Sequence, residues 1–137
     1  MGRNTLKFSL ISDMHLDHPQ PKTPYDKLEN TVVVAGDTAN GLLGLKFLDK
    51  LRRKGHKVFA CDGNHEHYGN VSQKRDHEET LGRFREDFPM TGKLDLGVPI
   101  VLVNGWYHVT VEDSWKNMMN DSRNSGLSAE RVNNIAA

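Results

Sequence analysis

Three short apolar runs, each closing on a polar turn, constrain this chain more than any other feature. Leu6, Phe8, Leu10 and Ile11 lead into Ser12-Asp13-Met14-His15, Thr31-Val32-Val33-Val34-Ala35 into Gly36-Asp37, and Val58-Phe59-Ala60-Cys61 into Asp62-Gly63-Asn64-His65. Runs of this length bounded by turn residues read as strands, and the unbroken second one suits a strand buried on both faces, as in a parallel sheet covered by helices. Between the second and third runs, Leu42, Leu45, Phe47, Leu48 and Leu51 recur at near-helical spacing. Arg52, Arg53 and Lys54 fill the last turn, and Gly55 is placed to end the helix. The β-α-β repeat predicts that the strand ends lie along one sheet edge, where open α/β folds bind their ligands.

The remaining chain adds weaker signals. His18 to Asn30 carries three of the five prolines and reads as a connector. Ser72 to Phe88 reads as a charged helix with a narrow stripe of Leu81, Phe84 and Phe88, stopped by Pro89. Ile100 to Val111 is strand-rich around Asn104-Gly105, which fits either a tight hairpin or one strand with a bulge. Ser114 to Gly126 is polar and loop-like. Ala129, Val132, Ile135 and Ala136 then start a helical stripe with Ser128 as N-cap, and this stripe reaches the last residue without a stop signal.

With 137 residues the chain is the size of one domain, 1–137. Its 18 basic and 18 acidic residues balance, so nothing points to nucleic acid or an anionic membrane surface. No apolar run approaches the ~20 residues of a membrane-spanning helix. A single cysteine, Cys61, excludes an internal disulfide, suits a small buried hydrophobe and fits a reduced, cytoplasmic setting. Seven histidines are a generous supply of metal ligands.

Convergence of the strand ends gives those histidines meaning. Asp13 and His15, two apart, point to the same side of an extended segment and form a chelating pair. Asp37 adds a carboxylate able to bridge two cations, and Asn64 a neutral carbonyl oxygen. Oxygen donors with imidazole suit Mn, Fe, Zn or Ni. Taken singly, Gly-Asp and Gly-Asn are ordinary turn dipeptides, and His65 can be read as a turn histidine; their joint occurrence in order carries the argument. His67, in His65-Glu66-His67, lacks the i, i+4 spacing of a zinc-protease helix and reads as a surface residue. Asp17, His18 and Asp62 read as solvated loop residues, and Trp106 and Trp115 as packing residues.

Asp13-Met14-His15, Gly36-Asp37 and Gly63-Asn64-His65-Glu66 resemble the first three motifs of the calcineurin-like metallophosphoesterases. Trp106, Trp115 and Met119-Asn120-Asp121-Ser122 are similar to a bacterial and phage subgroup of cytosolic phosphoesterases. The resemblance implies an α/β fold, a β-sandwich flanked by helices, and a site with two divalent metal ions. By it, Asp13, His15 and Asp37 hold one ion, Asp37 and Asn64 part of the second, and His65 sits beside the phosphate as acid or charge stabiliser. The implied activity is hydrolysis of phosphomonoesters or phosphodiesters by metal-activated hydroxide.

Two later family motifs, a histidine after a further strand and a Gly-His-x-His, do not occur; His77 and His108 lack the required context. The expectation is therefore an N-terminal portion of the fold, its C-terminal strands missing and its own activity low. It would self-associate or be completed by a complementary C-terminal chain. The rival from another class is a non-catalytic relic or binding scaffold of the same fold, completed by a partner. A nucleotide-binding domain is disfavoured because no Gly-x-Gly-x-x-Gly or P-loop is present.

Overall fold

The computed structural model describes residues 4–18, 25–68, 77–104, 116 and 124–136. Its centre is a parallel sheet of β1 (Ser9–Ile11), β2 (Thr31–Ala35) and β3 (Lys57–Cys61), in the order β1-β2-β3. Val33 pairs with Leu10 on one side and Phe59 on the other, which fixes the register of all three strands. Strand β2 is central and buried on both faces, with Val32 and Val34 towards one side and Val33 towards the other. β1 is shorter than the run from Leu6 suggests, because as an edge strand it is held only where β2 offers partners.

Helix α1 (Leu45–Arg53) packs Leu45, Leu48 and Leu51 onto Val32, Val34 and Ala60. It ends as its sequence predicts. Gly55 takes φ 97, its amide donates to Arg52 O, and the His56 amide reaches back to Leu51 O, which satisfies the last carbonyls of the helix. Helix α2 (His77–Asp87) closes the same core with Phe84, and Phe88 follows just beyond its end. The Arg52 guanidinium lies 3.9 Å over the Phe88 ring and donates to Asp87 O, which fastens the two helix ends together.

A two-stranded antiparallel hairpin follows, β4 (Thr91–Lys93) and β5 (Pro99–Val101); β5 takes in the start of the strand-rich run from Ile100, whereas β4 was not legible in the sequence. Its reversal passes through Leu96 and Gly97, both at positive φ, and leucine gives no warning of that conformation. The hairpin rests on β3, where a Cβ on Gly92 would lie 2.5 Å from a Phe59 ring carbon. The Thr31 hydroxyl donates to Asp95 at 3.1 Å, and Lys57 Nζ donates to Lys93 O at 2.6 Å. These contacts lie at the start of β2 and β3, the end of the sheet opposite to the polar turns.

Helix α3 (Ala129–Ala136) buries Ala129 and Val132. The Ser128 hydroxyl accepts from the Arg131 amide at 3.2 Å, so the expected N-cap is made. Ser128→Ala should lower stability by about 1 kcal/mol, and urea denaturation measures it. The choice between hairpin and bulge at Asn104-Gly105, together with Trp106, His108, Trp115 and residues 119–122, falls outside the described residues. Among the described residues no helix is long and apolar enough to cross a membrane.

Candidate metal centre

The turns after β1 and β2 are zipped together by backbone hydrogen bonds that continue the sheet ladder beyond its strands. The amides of Asp13, His15 and Leu16 donate to the carbonyls of Gly36, Asp37 and Thr38 at 3.2, 3.1 and 2.9 Å. Holding two tight turns side by side forces unusual backbone. Asp13, His15 and Asp37 adopt φ of 53, 44 and 54°, and Gly36 adopts 79°. For a residue with a Cβ this region costs of order 1–3 kcal/mol, and such strain is held only where the surroundings over-determine it. The premise that Asp13 and His15 share one side of an extended segment therefore fails, because neither residue is extended.

One ligand atom each from His15, Asp37 and His65 lies within 4.8 Å of the others. The two imidazole rings meet edge to face with centroids 4.3 Å apart. Asp37 also organises the third turn, since its Oδ1 accepts the His65 amide at 3.0 Å. The His15 imidazole and the Asp37 carboxylate suit a borderline divalent ion such as Mn, Fe, Zn or Ni, and the His65 ring stands within reach of the same point. The third turn approaches closely because it carries a glycine. A Cβ on Gly63 would overlap Asp37 Oδ1 and lie 2.9 Å from the Asp37 amide nitrogen.

His65 Nδ1 lies 2.9 Å from Asn40 Oδ1. Facing a carboxamide oxygen, that nitrogen carries a hydrogen and donates it, which orients the ring and leaves Nε2 for chemistry. Tyr68 stacks on His65 with centroids 4.2 Å apart. Among the expected ligands, Asn64 directs its amide nitrogen to the Tyr68 hydroxyl at 3.4 Å. Asp13 lies outside the trio, and its carboxylate accepts from the Ser12 hydroxyl at 2.6 Å. Asp17 is mostly covered and accepts the Asn40 amide at 3.2 Å, whereas the His18 side chain is 61% exposed.

Behind the trio lie two acidic groups whose burial sequence reasoning missed. Glu66 is 1% exposed. Its carboxylate accepts the amides of Gly63, Thr38 and Asp37 at 2.7, 2.8 and 3.1 Å. Burial pushes this carboxyl up to about 7, against the pull of those amides, and the Asp37 charge adds to the rise. Asp62 and His67, both expected at the surface, are 1% and 0% exposed. Asp62 Oδ2 accepts from His67 Nε2 at 3.0 Å and from the Asn104 amide at 2.6 Å, and Oδ1 accepts from Arg85 Nε at 3.0 Å. Burial raises the Asp62 carboxyl, but the hydrogen bonds from His67, Arg85 and Asn104 outweigh it and hold the group at about 2. Cys61, adjacent, is buried as expected; desolvation, with the Asp62 and Glu66 charges, pushes its thiol up to about 11.

The arrangement of metal-suited side chains at the C-terminal edge of a parallel sheet agrees with comparison to known families. The calcineurin-like phosphoesterase profile matches residues 6–131, and the chain belongs to that family. Among curated proteins and among solved structures, no significant match is found.

Proposed function

We propose that this protein is a metal-dependent phosphoesterase that hydrolyses phosphomonoesters or phosphodiesters, with His15 and Asp37 as its central metal ligands and His65 as the group acting on the phosphate. The observation that carries the reading is the convergence of His15, Asp37 and His65 within 4.8 Å at the ends of three separate strands. Asp13 and Asn64, one on each flanking turn, complete the ligand set of a two-ion site by the family resemblance. Bound divalent ions would supply Lewis acidity towards the phosphoryl oxygens and a hydroxide nucleophile near neutral pH.

The chain's own residues do the rest. Asp37 would offset part of a bound ion's charge while its Oδ1 holds the His65 amide, which ties the ligand to the phosphate-facing residue. Asn40 keeps the Nδ1 hydrogen of His65 engaged. Protonated at Nε2, the ring can then donate to the leaving oxygen as that oxygen gains charge.

Hydrolysis of an aryl phosphate and an aryl phosphodiester with Mn²⁺, alongside calorimetric Mn²⁺ titration, tests the assignment. Asp37→Asn should lose both metal affinity and turnover. His65→Ala should keep Mn²⁺ affinity while turnover on a poor leaving group falls about 10²–10⁴-fold, the usual worth of general acid catalysis. Loss of metal affinity in His65→Ala would make His65 a ligand instead.

A further inference from the structure

Glu66 is a buried acid with no place in the reaction. Resting on the metal-site reading above, we propose that Glu66 is a positioning residue, whose carboxylate fills a concave set of backbone amides and thereby fixes the Asp37 carboxylate for metal binding. Gly36 and Asp37 are both at positive φ, and the next two amides in the chain, those of Asp37 and Thr38, turn to the same side. Successive N–H groups arranged in this way form a small anion-binding hollow. Here the anion is a side chain of the protein, arriving from the third turn, and the Gly63 amide donates to it as well.

Three features make this more than packing. The carboxylate bridges two turns, accepting from Thr38 and Asp37 after β2, 28 and 29 residues away, and from Gly63 after β3, 3 residues away. Asp37 returns the link, because its side chain accepts the His65 amide. The circuit closes: Glu66 holds the Asp37 backbone, and Asp37 holds the backbone beside Glu66. Finally, the conformation so fixed is a strained one. With φ at 54°, Asp37 is held by this acceptor as well as by the zipper to the first turn, and loss of the acceptor would leave its amide unsatisfied and loosen its carboxylate beside His15.

Glutamine at position 66 keeps the shape but replaces one acceptor oxygen with a donor, which opposes an amide N–H. A residue that merely packs tolerates that exchange in metal affinity; a positioning residue does not. Two measurements on the full chain test the proposal. Hydrogen exchange of the metal-free wild type should show protected amides at Asp37, Thr38 and Gly63, with faster exchange at all three in Glu66→Gln. Calorimetric titration with Mn²⁺ should show affinity about 10–100-fold lower in Glu66→Gln, the range found when groups that orient metal ligands are removed. Glu66→Ala should recover part of that loss when acetate is added to refill the hollow.

Wild-type amides that exchange as fast as an open loop would overturn the proposal whatever the variants do. So would a folded Glu66→Gln protein that binds Mn²⁺ like the wild type while Asp37→Asn does not. Wild-type protein with no Mn²⁺ affinity, or Asp37→Asn binding as tightly as wild type, removes the metal reading itself and this proposal with it. The exchange data distinguish the two failures, since they report the amide hollow without any metal.

Discussion

Gly63→Ala is expected to weaken Mn²⁺ binding about 100-fold, at the upper end of what removing a ligand's support costs, while leaving a folded protein. The added methyl group would overlap Asp37 Oδ1 and press on the Asp37 amide. The carboxylate must therefore leave its place beside His15, and the His65 amide loses its acceptor. Overpacking of this kind costs about 1–3 kcal/mol of stability, so urea denaturation run beside the calorimetric titration separates loss of the site from loss of the fold. Gly36 is constrained in the same contact, because a Cβ there would stand 3.1 Å from the Gly63 backbone. A folded Gly63→Ala protein with wild-type affinity would show that Asp37 binds no ion in the position described.

The second large effect is on stability. Asp62→Ala should cost several kcal/mol, about 1–3 for each of the buried donors, His67 and Asn104, that it leaves without this acceptor. The lost carboxylate is the common acceptor for His67 on the short turn after β3, Arg85 on α2 and Asn104 beyond β5. Three parts of the chain distant in sequence are thus disconnected by one substitution. The acid side of the stability profile carries the same signature. The folded carboxyl sits at about 2 against an ordinary value of 3.8, so its contribution is complete above about pH 4 and is lost as pH falls through about 2. At roughly 1.4 kcal/mol per unit, the loss is about 2 kcal/mol. Denaturant titrations at pH 5 and at lower pH should show this step in the wild type and a smaller one in Asp62→Asn; equal steps in the two proteins would contradict it.

Features governed by local chemistry could be read from the sequence. The unbroken Val32-Val33-Val34 run announced a strand covered on both faces, Gly55 the end of α1, and Ser128 the start of α3. Each depends on residues within a few positions of one another. The convergence of the three strand ends was legible for a different reason: parallel strands joined by crossovers must present their ends together, whatever fills the crossover. The ligands expected there were Asp13, His15, Asp37 and Asn64, whereas the side chains that meet are those of His15, Asp37 and His65. Burial of polar groups was not legible. Asp62, Glu66 and His67 have the composition of a solvated turn, and what draws them inside is a set of partners from elsewhere in the fold: Arg85, Asn104 and the amides of Asp37 and Thr38. Three-dimensional closeness of this kind leaves no periodic trace. The left-handed backbone of Asp13 and His15 was hidden similarly, since it comes from zipping one turn onto another, and it undid the argument that two residues apart means one side.

That zipper has a kinetic consequence. The hydrogen bonds from Asp13, His15 and Leu16 to Gly36, Asp37 and Thr38 join segments far apart in the chain, so His15 reaches Asp37 only after β1 has found β2. Contacts of such separation form late, because the intervening chain must first be closed into a loop. A divalent ion should therefore leave the refolding rate nearly unchanged and slow unfolding instead, with the melting temperature rising as metal concentration rises. A bound ion would act as a latch on a finished sheet, and the lifetime of the folded state would become a property of the solution as much as of the sequence.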